Sequence, residues 1–193
     1  MTFSPLADTE VEARPERLVA AARDLANETG RAAFTVAQVA ERAGLSLKSF
    51  YRCFRGKDDL LIALIGADSE IGAAVLGERI GNRTGSAAVE AYFVELFAML
   101  TLPGAIGYAG VLATEHRRLG EQHNTEERRA IAPMIDLLAR FLSTDDPARD
   151  AETMFAVLLM GIHDVVLGRV TNTRELALYL HRFCTQGVGH GGQ

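Results

Sequence analysis

The chain has 193 residues, 48% of them hydrophobic, with 23% charged and a net charge of −5, which is enough length for one large or two small domains with real cores. Ordinary apolar content places it in the soluble globular class, and the acidity argues against sequence-independent binding to nucleic acid. The longest apolar run, from Met154 to Leu167, is broken by Gly161, His163 and Asp164 and is too short and polar to span a membrane.

The N-terminal residues carry no basic stretch followed by an apolar one, so no secretion signal is expected. Cys53 and Cys184 form neither a disulfide framework nor a paired zinc spacing, and two free thiols in a reducing cytoplasm are expected, with no metal and no cofactor.

Helical periodicity runs through the whole chain and strand signals are nearly absent, so the predicted class is all-α with about nine helices. Leu18, Ala21, Ala22 and Leu25 mark the apolar stripe of a first helix over 11–29, which Gly30 ends. Thr35 with Gln38 three residues on is a capping-box pattern opening a second helix to 43, and Gly44 makes the turn. Ser46 caps a third helix over 46–53. A fourth starts after Gly56, with Asp58 and Asp59 in its first turn where the helix dipole favours negative charge, and is expected to reach 80 with bending at Gly66 and Gly72. Five more helices follow over 87–100, 106–122, 126–142, 148–169 and 174–186. Leu102, Pro103 and Gly104 break the chain after the fifth, Asn124 or Thr125 caps the seventh, and Pro133 should kink it. The glycine-rich tail 187–193 is expected to be disordered.

The densest chemistry lies between Thr35 and Leu61. The chain's only lysines, Lys48 and Lys57, are here, and from Arg42 to Lys57 there are five cations and no acidic residue. Residues 1–64 carry nine basic and nine acidic side chains, whereas 65–193 carry eleven against sixteen, so the negative charge lies away from this stretch. Phe50 and Phe54, four apart, should face the second helix. Lys48, Arg52 and Arg55, with Leu47 and Tyr51 beside them, form the solvent face. A cationic second helix after a glycine turn is what a reader of duplex DNA needs, its N-terminal residues reaching base edges in the major groove. Lys48 suits guanine, Ser49 several bases and Leu47 a thymine methyl, while Thr35, Tyr51 and Lys57 suit phosphates.

The same segment resembles the DNA-binding domain of the TetR/AcrR family of bacterial transcriptional regulators. The resemblance rests on Thr35, Val39-Ala40, Ala43-Gly44-Leu45-Ser46, Phe50-Tyr51, Cys53-Phe54 and Gly56-Lys57-Asp58-Asp59-Leu60, within residues 14–64. It departs from the family pattern at Lys48, usually a small residue, at Cys53, often an aromatic or His, and at Gly56, usually a Ser cap. The DNA-contacting set implied is Thr35, Ser46, Leu47, Lys48, Ser49, Tyr51, Arg52 and Lys57.

The resemblance also implies a division into a DNA-binding domain over 1–64 and a ligand-binding and dimerisation domain over 65–193. The eighth helix is apolar nearly all round, which suggests a central helix or a subunit interface. Met154, Leu158, Val165, Leu176, Tyr179 and Phe183 are the candidates for a homodimer contact. Tyr92, Phe93, Phe97, Tyr108, His116, Met134, Leu137 and Phe155 are the candidates for a pocket holding a small, mostly apolar effector. The expected function is that of a homodimeric, ligand-responsive regulator in the cytoplasm, most simply a repressor, on a palindromic double-stranded operator. The rival readings are a helical protein-binding scaffold and a bundle enzyme. For an enzyme the only titratable clusters are Glu115-His116, Glu121 with His123, and His163-Asp164, with no metal-binding or phosphate-loop motif, so no catalytic residue is assigned.

Overall fold

The computed structural model describes residues 13–102 and 104–186. The expectations for residues 11–12, Pro103 and the tail 187–193 lie outside the described residues. Within them the chain is all-α: α1 Arg14–Thr29, α2 Val36–Arg42, α3 Leu47–Cys53, α4 Lys57–Ile80, α5 Gly85–Met99, α6 Ala105–Gln122, α7 Asn124–Ala139, α8 Pro147–Val166 and α9 Thr173–Gln186.

Local chemistry explains the boundaries. Thr35 Oγ1 accepts from the Gln38 amide and the Gln38 side chain accepts from the Thr35 amide, a complete capping box at α2. Ser46 Oγ accepts from the Ser49 amide at the start of α3. Four boundaries after α4 differ from expectation by two residues or more. The α5 helix begins two residues early, at Gly85. The α7 helix begins at Asn124 itself, so neither Asn124 nor Thr125 caps it, and it ends at Ala139 because the next amides tighten onto Leu138 and Ala139. The α8 helix stops at Val166 because Gly168, at φ 68°, adopts the left-handed conformation and lets the Arg169 amide return to Asp164. Pro133 lies inside α7, which runs through it from Asn124 to Ala139.

Two cores meet along α4. Its first half gives Leu60, Leu61, Leu64 and Ile65 to a cluster with Leu18, Ala22, Val39 and Phe50. Its second half gives Leu76 and Ile80 to a cluster with Tyr92, Phe93, Phe97, Leu138 and Leu158. Val111 and Leu119 of α6 join the first cluster, so a division at residue 64 falls inside one helix whose ends serve different cores. Length and composition alone would let α4 cross a membrane. Its place between the two cores accounts for the same apolarity. Gly66 and Gly72 sit within this continuous helix at the approach of α7: a Cβ on Gly72 would lie 3.2 Å from Met134 Sδ.

Candidate nucleic-acid interface and internal cavity

The second face of α3 is exposed as its spacing predicts. Phe50 is fully buried with Phe54 beside it, ring centroids 5.8 Å apart, which pins the helix to α1 and α2. Leu47 is 46% and Tyr51 58% exposed, and Lys48 and Arg52 stand in solvent with them. Arg17 of α1 donates to the Ala43 carbonyl at 2.6 Å and so braces the turn from behind. Gly44 at that turn has φ 65°, a left-handed conformation that favours glycine, and a Cβ there would press on the Arg17 guanidinium at 3.2 Å.

The five cations divide sharply. Arg42 forms a two-point pair with Glu28 at 2.7 and 2.9 Å, and that pairing holds the Glu28 carboxyl below its ordinary range. Arg55 pairs with Asp59, whose carboxylate also accepts from the Arg55 amide at 2.9 Å and is held low by it. Lys57, expected to meet a phosphate, also makes a contact within the chain. Its Nζ is half-buried, donates to the Ala32 carbonyl and sits 4.8 Å from the centre of the Phe34 ring, so it braces the α1–α2 loop. Among the described residues Lys48 and Arg52 have no acidic partner. Thr35, Ser46 and Ser49 lie at the helix starts, with their hydroxyls engaged in capping. Arg17 was not legible as a brace, because its partner is a backbone carbonyl 26 residues away.

A cavity of about 310 Å³, open on one side, lies between α4, α5, α6, α7 and α8. Tyr108, His116, Met134 and Phe155 are in its wall. Tyr92, Phe93, Phe97 and Leu137 are not: they pack side by side in the second core, with the Tyr92 hydroxyl satisfied by the Met134 carbonyl at 3.0 Å. These residues fill the core around α5 and line no part of the cavity. The wall residues that spacing did not single out include Ile65, Asp68, Ser69, Leu96, Leu112 and Leu159. The signal for the α4 group was present: residues 65, 68, 69 and 72 recur on one face, with a carboxylate set in an apolar run.

The polar groups of the wall are tied down from behind. Asp68 receives Arg23 of α1 at 2.6 and 2.8 Å on one oxygen and the Tyr108 hydroxyl on the other. Burial lifts the Tyr108 phenol well above its ordinary range, and the Asp68 carboxylate beside it adds to the shift, so it stays protonated and donates. His116 contacts the buried Glu127 through Nδ1. A further bridge ties α6 to the start of α4: Arg118 reaches both Asp58 oxygens, at 2.5 and 3.2 Å, and holds that carboxyl below its ordinary 3.8. Among the described residues no Lys or Arg lines the cavity, and no cluster of metal-ligating side chains occurs.

The dimer candidates separate likewise. Met154, Leu158 and Val165 are buried inside their own chain, because α8 is enclosed by α6, α7 and α9. Leu176 is half-buried against the Gly161 position. Tyr179 and Phe183, four apart on α9, are exposed, as are Met160 on α8 and Leu167 at its C-terminal cap, seven apart. Each pair falls on one side of its helix.

Comparisons with known proteins follow these two features. The family model for bacterial regulatory proteins of the tetR family matches residues 18–64. No curated protein matches the sequence. Among solved structures, a TetR transcriptional regulator from Rhodococcus sp. RHA1 superposes with a TM-score of 0.75 at 19% identity, covering 95% of this chain and 100% of that one. The regulator FadR from Bacillus subtilis, in complex with stearoyl-CoA, gives 0.65 at 18% identity, over 90% and 99%. RolR in complex with resorcinol gives 0.61 at 18%, over 91% and 89%. These likenesses show a shared fold across both halves of the chain.

Proposed function

We propose, from the premise that this chain belongs to the tetR family of bacterial regulatory proteins through residues 18–64, that it is a homodimeric repressor released from a palindromic operator by a small apolar molecule. The observation that carries the reading is the exposed row Leu47, Lys48, Tyr51 and Arg52 on α3, in which two solvent-exposed cations lie together with no acidic partner among the described residues. Lys48 reads a base edge, Arg52 and Tyr51 meet phosphates, and the α2 and α3 N-termini add backbone donors. The exposed apolar pairs on α8 and α9 support a two-fold contact between subunits, which places two reading heads on a symmetry axis. Residues 1–64 are then the head and 65–193 the effector and dimer domain, with the whole protein in the cytoplasm.

The wall of the cavity supports a compact effector. The stearoyl-CoA of the Bacillus subtilis regulator carries phosphates, and no cationic side chain among the described residues lines this cavity to receive them. A ligand between α4 and α8 acts by binding one head separation better than another, and only that difference in affinity shifts DNA binding. The helix joining them is α4, whose two halves belong to different cores.

Selection from random duplex DNA with the purified chain tests the reading. An enriched palindrome with half-sites about 34–36 Å apart, or a multiple of that, is expected. A pool without enrichment, at both low and moderate salt and with apolar ligands present and absent, would instead favour a helical scaffold.

A further inference from the structure

Asp68 is the single acidic side chain in the cavity wall among the described residues. Its side chain is 13% exposed, midway along α4, and a carboxylate so placed needs a cation beside it. That cation is Arg23, which comes from the reading head and not from the effector domain. Arg23 is 29% exposed, so its flexible side chain has water to retreat into, whereas Asp68 is held on a helix packed on several sides. The other Asp68 oxygen is taken by Tyr108, itself part of the wall.

We propose that the cavity takes an apolar molecule with an ammonium head, which replaces Arg23 as the counter-ion of Asp68 and so removes the polar tie between α1 and α4. The proposal rests on the reading of the cavity as an effector site, and names the effector's class and its route to the head. One largely enclosed carboxylate does not hold two cations without repulsion between them, so ligand and Arg23 exclude each other. The exclusion is reciprocal: a head position that keeps Arg23 on Asp68 weakens the ligand, and the ligand weakens that head position equally. An alcohol of the same shape takes a hydrogen bond but leaves Arg23 in place. A carboxylate-headed analogue meets Asp68 as a like charge, and the one histidine in the wall is already against Glu127.

The test is titration calorimetry of the full chain at neutral pH with n-octylammonium, 1-octanol and octanoate, each below its micelle concentration. Octylammonium should bind tightest and octanoate at least about tenfold more weakly, within the usual range of such couplings. Arg23→Gln removes the competing cation without altering the wall. It should tighten octylammonium by about tenfold and leave 1-octanol unchanged. Asp68→Asn should erase the preference for the ammonium. A purely structural Arg23 predicts the opposite sign, since its loss would loosen the site for all three. The proposal is overturned if Arg23→Gln leaves octylammonium binding unchanged or weaker. It is equally overturned if octanoate or 1-octanol binds as well as octylammonium, or if none of the three binds. No arm uses DNA, so failure of the DNA-binding reading appears separately, in the selection experiment.

Discussion

The proposed reading head, residues 1–64, and the proposed effector domain, residues 65–193, are built from the same material and packed to different ends. In the head, Leu18, Ala22, Val39, Phe50 and Leu60 close on one another completely, and the polar ties run round the outside, from Arg17 to Ala43 and from Arg42 to Glu28. In the effector domain, Tyr92, Phe93 and Phe97 are buried as fully, yet a cavity of about 310 Å³ opens beside them and polar groups at Ser69, Glu127 and His181 lie buried nearby. A head that reads base edges has to hold α3 still against α1 and α2. A domain that answers a ligand needs room and a few polar contacts with more than one possible partner.

The largest expected effect tests that contrast in packing. Phe50→Ala removes a fully enclosed ring and should cost about 3–5 kcal/mol of stability in urea unfolding. Phe155→Ala, at the cavity wall, should cost clearly less, because part of that ring already faces empty space. Equal losses would mean that the cavity wall is as tightly packed as the head.

Next in size is the chemistry of the head's surface. Lys48→Ala should cost about 1–3 kcal/mol of operator affinity and relax the sequence preference at one position of each half-site. Arg52→Ala should weaken all sequences alike and lower the salt dependence, as loss of a phosphate contact does. Equal losses on every sequence for both variants would remove Lys48 as a base reader. Lys57→Ala should instead reduce the stability of the head, because Nζ braces Ala32 and Phe34.

A comparable cost is expected where the effector domain has no slack. A Cβ on Gly161 of α8 would lie 2.6 Å from Leu180 Cδ1 and 2.9 Å from Phe97 Cζ. Phe97 is fully buried and has nowhere to move, so Gly161→Ala should destabilise by about 1–3 kcal/mol. Thermal unfolding checks it. A neutral result would show that α9 yields, and that the junction of α8 and α9 is softer than the head core.

How far these differences were legible in the sequence follows from the range of the forces involved. Helices, caps and the two faces of α3 are set within a few residues, so Thr35, Gly44, Ser46 and the Phe50–Phe54 pair declare themselves by spacing. Residues paired across long separations do not. Arg23 finds Asp68 at 45 positions away, Arg118 finds Asp58 at 60, and Lys57 turns inward to a carbonyl 25 positions back. The same limit explains the pocket candidates. Aromatic size pointed to Tyr92, Phe93 and Phe97, but size decides how well a gap is filled and not where a gap remains. For α8, apolar character all round was correct, but the neighbours that bury Met154, Leu158 and Val165 are helices of the same chain.

The smallest effect concerns a polar group that the effector domain buries and the head has no counterpart for. His181 of α9 is buried against Phe93, ring centroids 5.9 Å apart, with Nε2 unpartnered. Burial pulls its pKa below the ordinary 6.5, against the opposing pull of Glu90 at 3.9 Å. The folded chain therefore keeps this ring neutral at a pH where the unfolded chain protonates it. Below 6.5 the unfolded state binds more protons, so stability present at higher pH is lost as pH falls, by no more than about 1.4 kcal/mol per pH unit for one proton. His181→Leu should flatten that part of the stability profile, followed by urea unfolding at a series of pH values. Glu90→Gln should steepen it, because the neighbour that favours the charged ring is gone. If neither variant changes the slope, the pH response in this window comes from other groups; the Asp58 carboxylate is not one of them, because its contribution is lost only as pH falls below its ordinary 3.8.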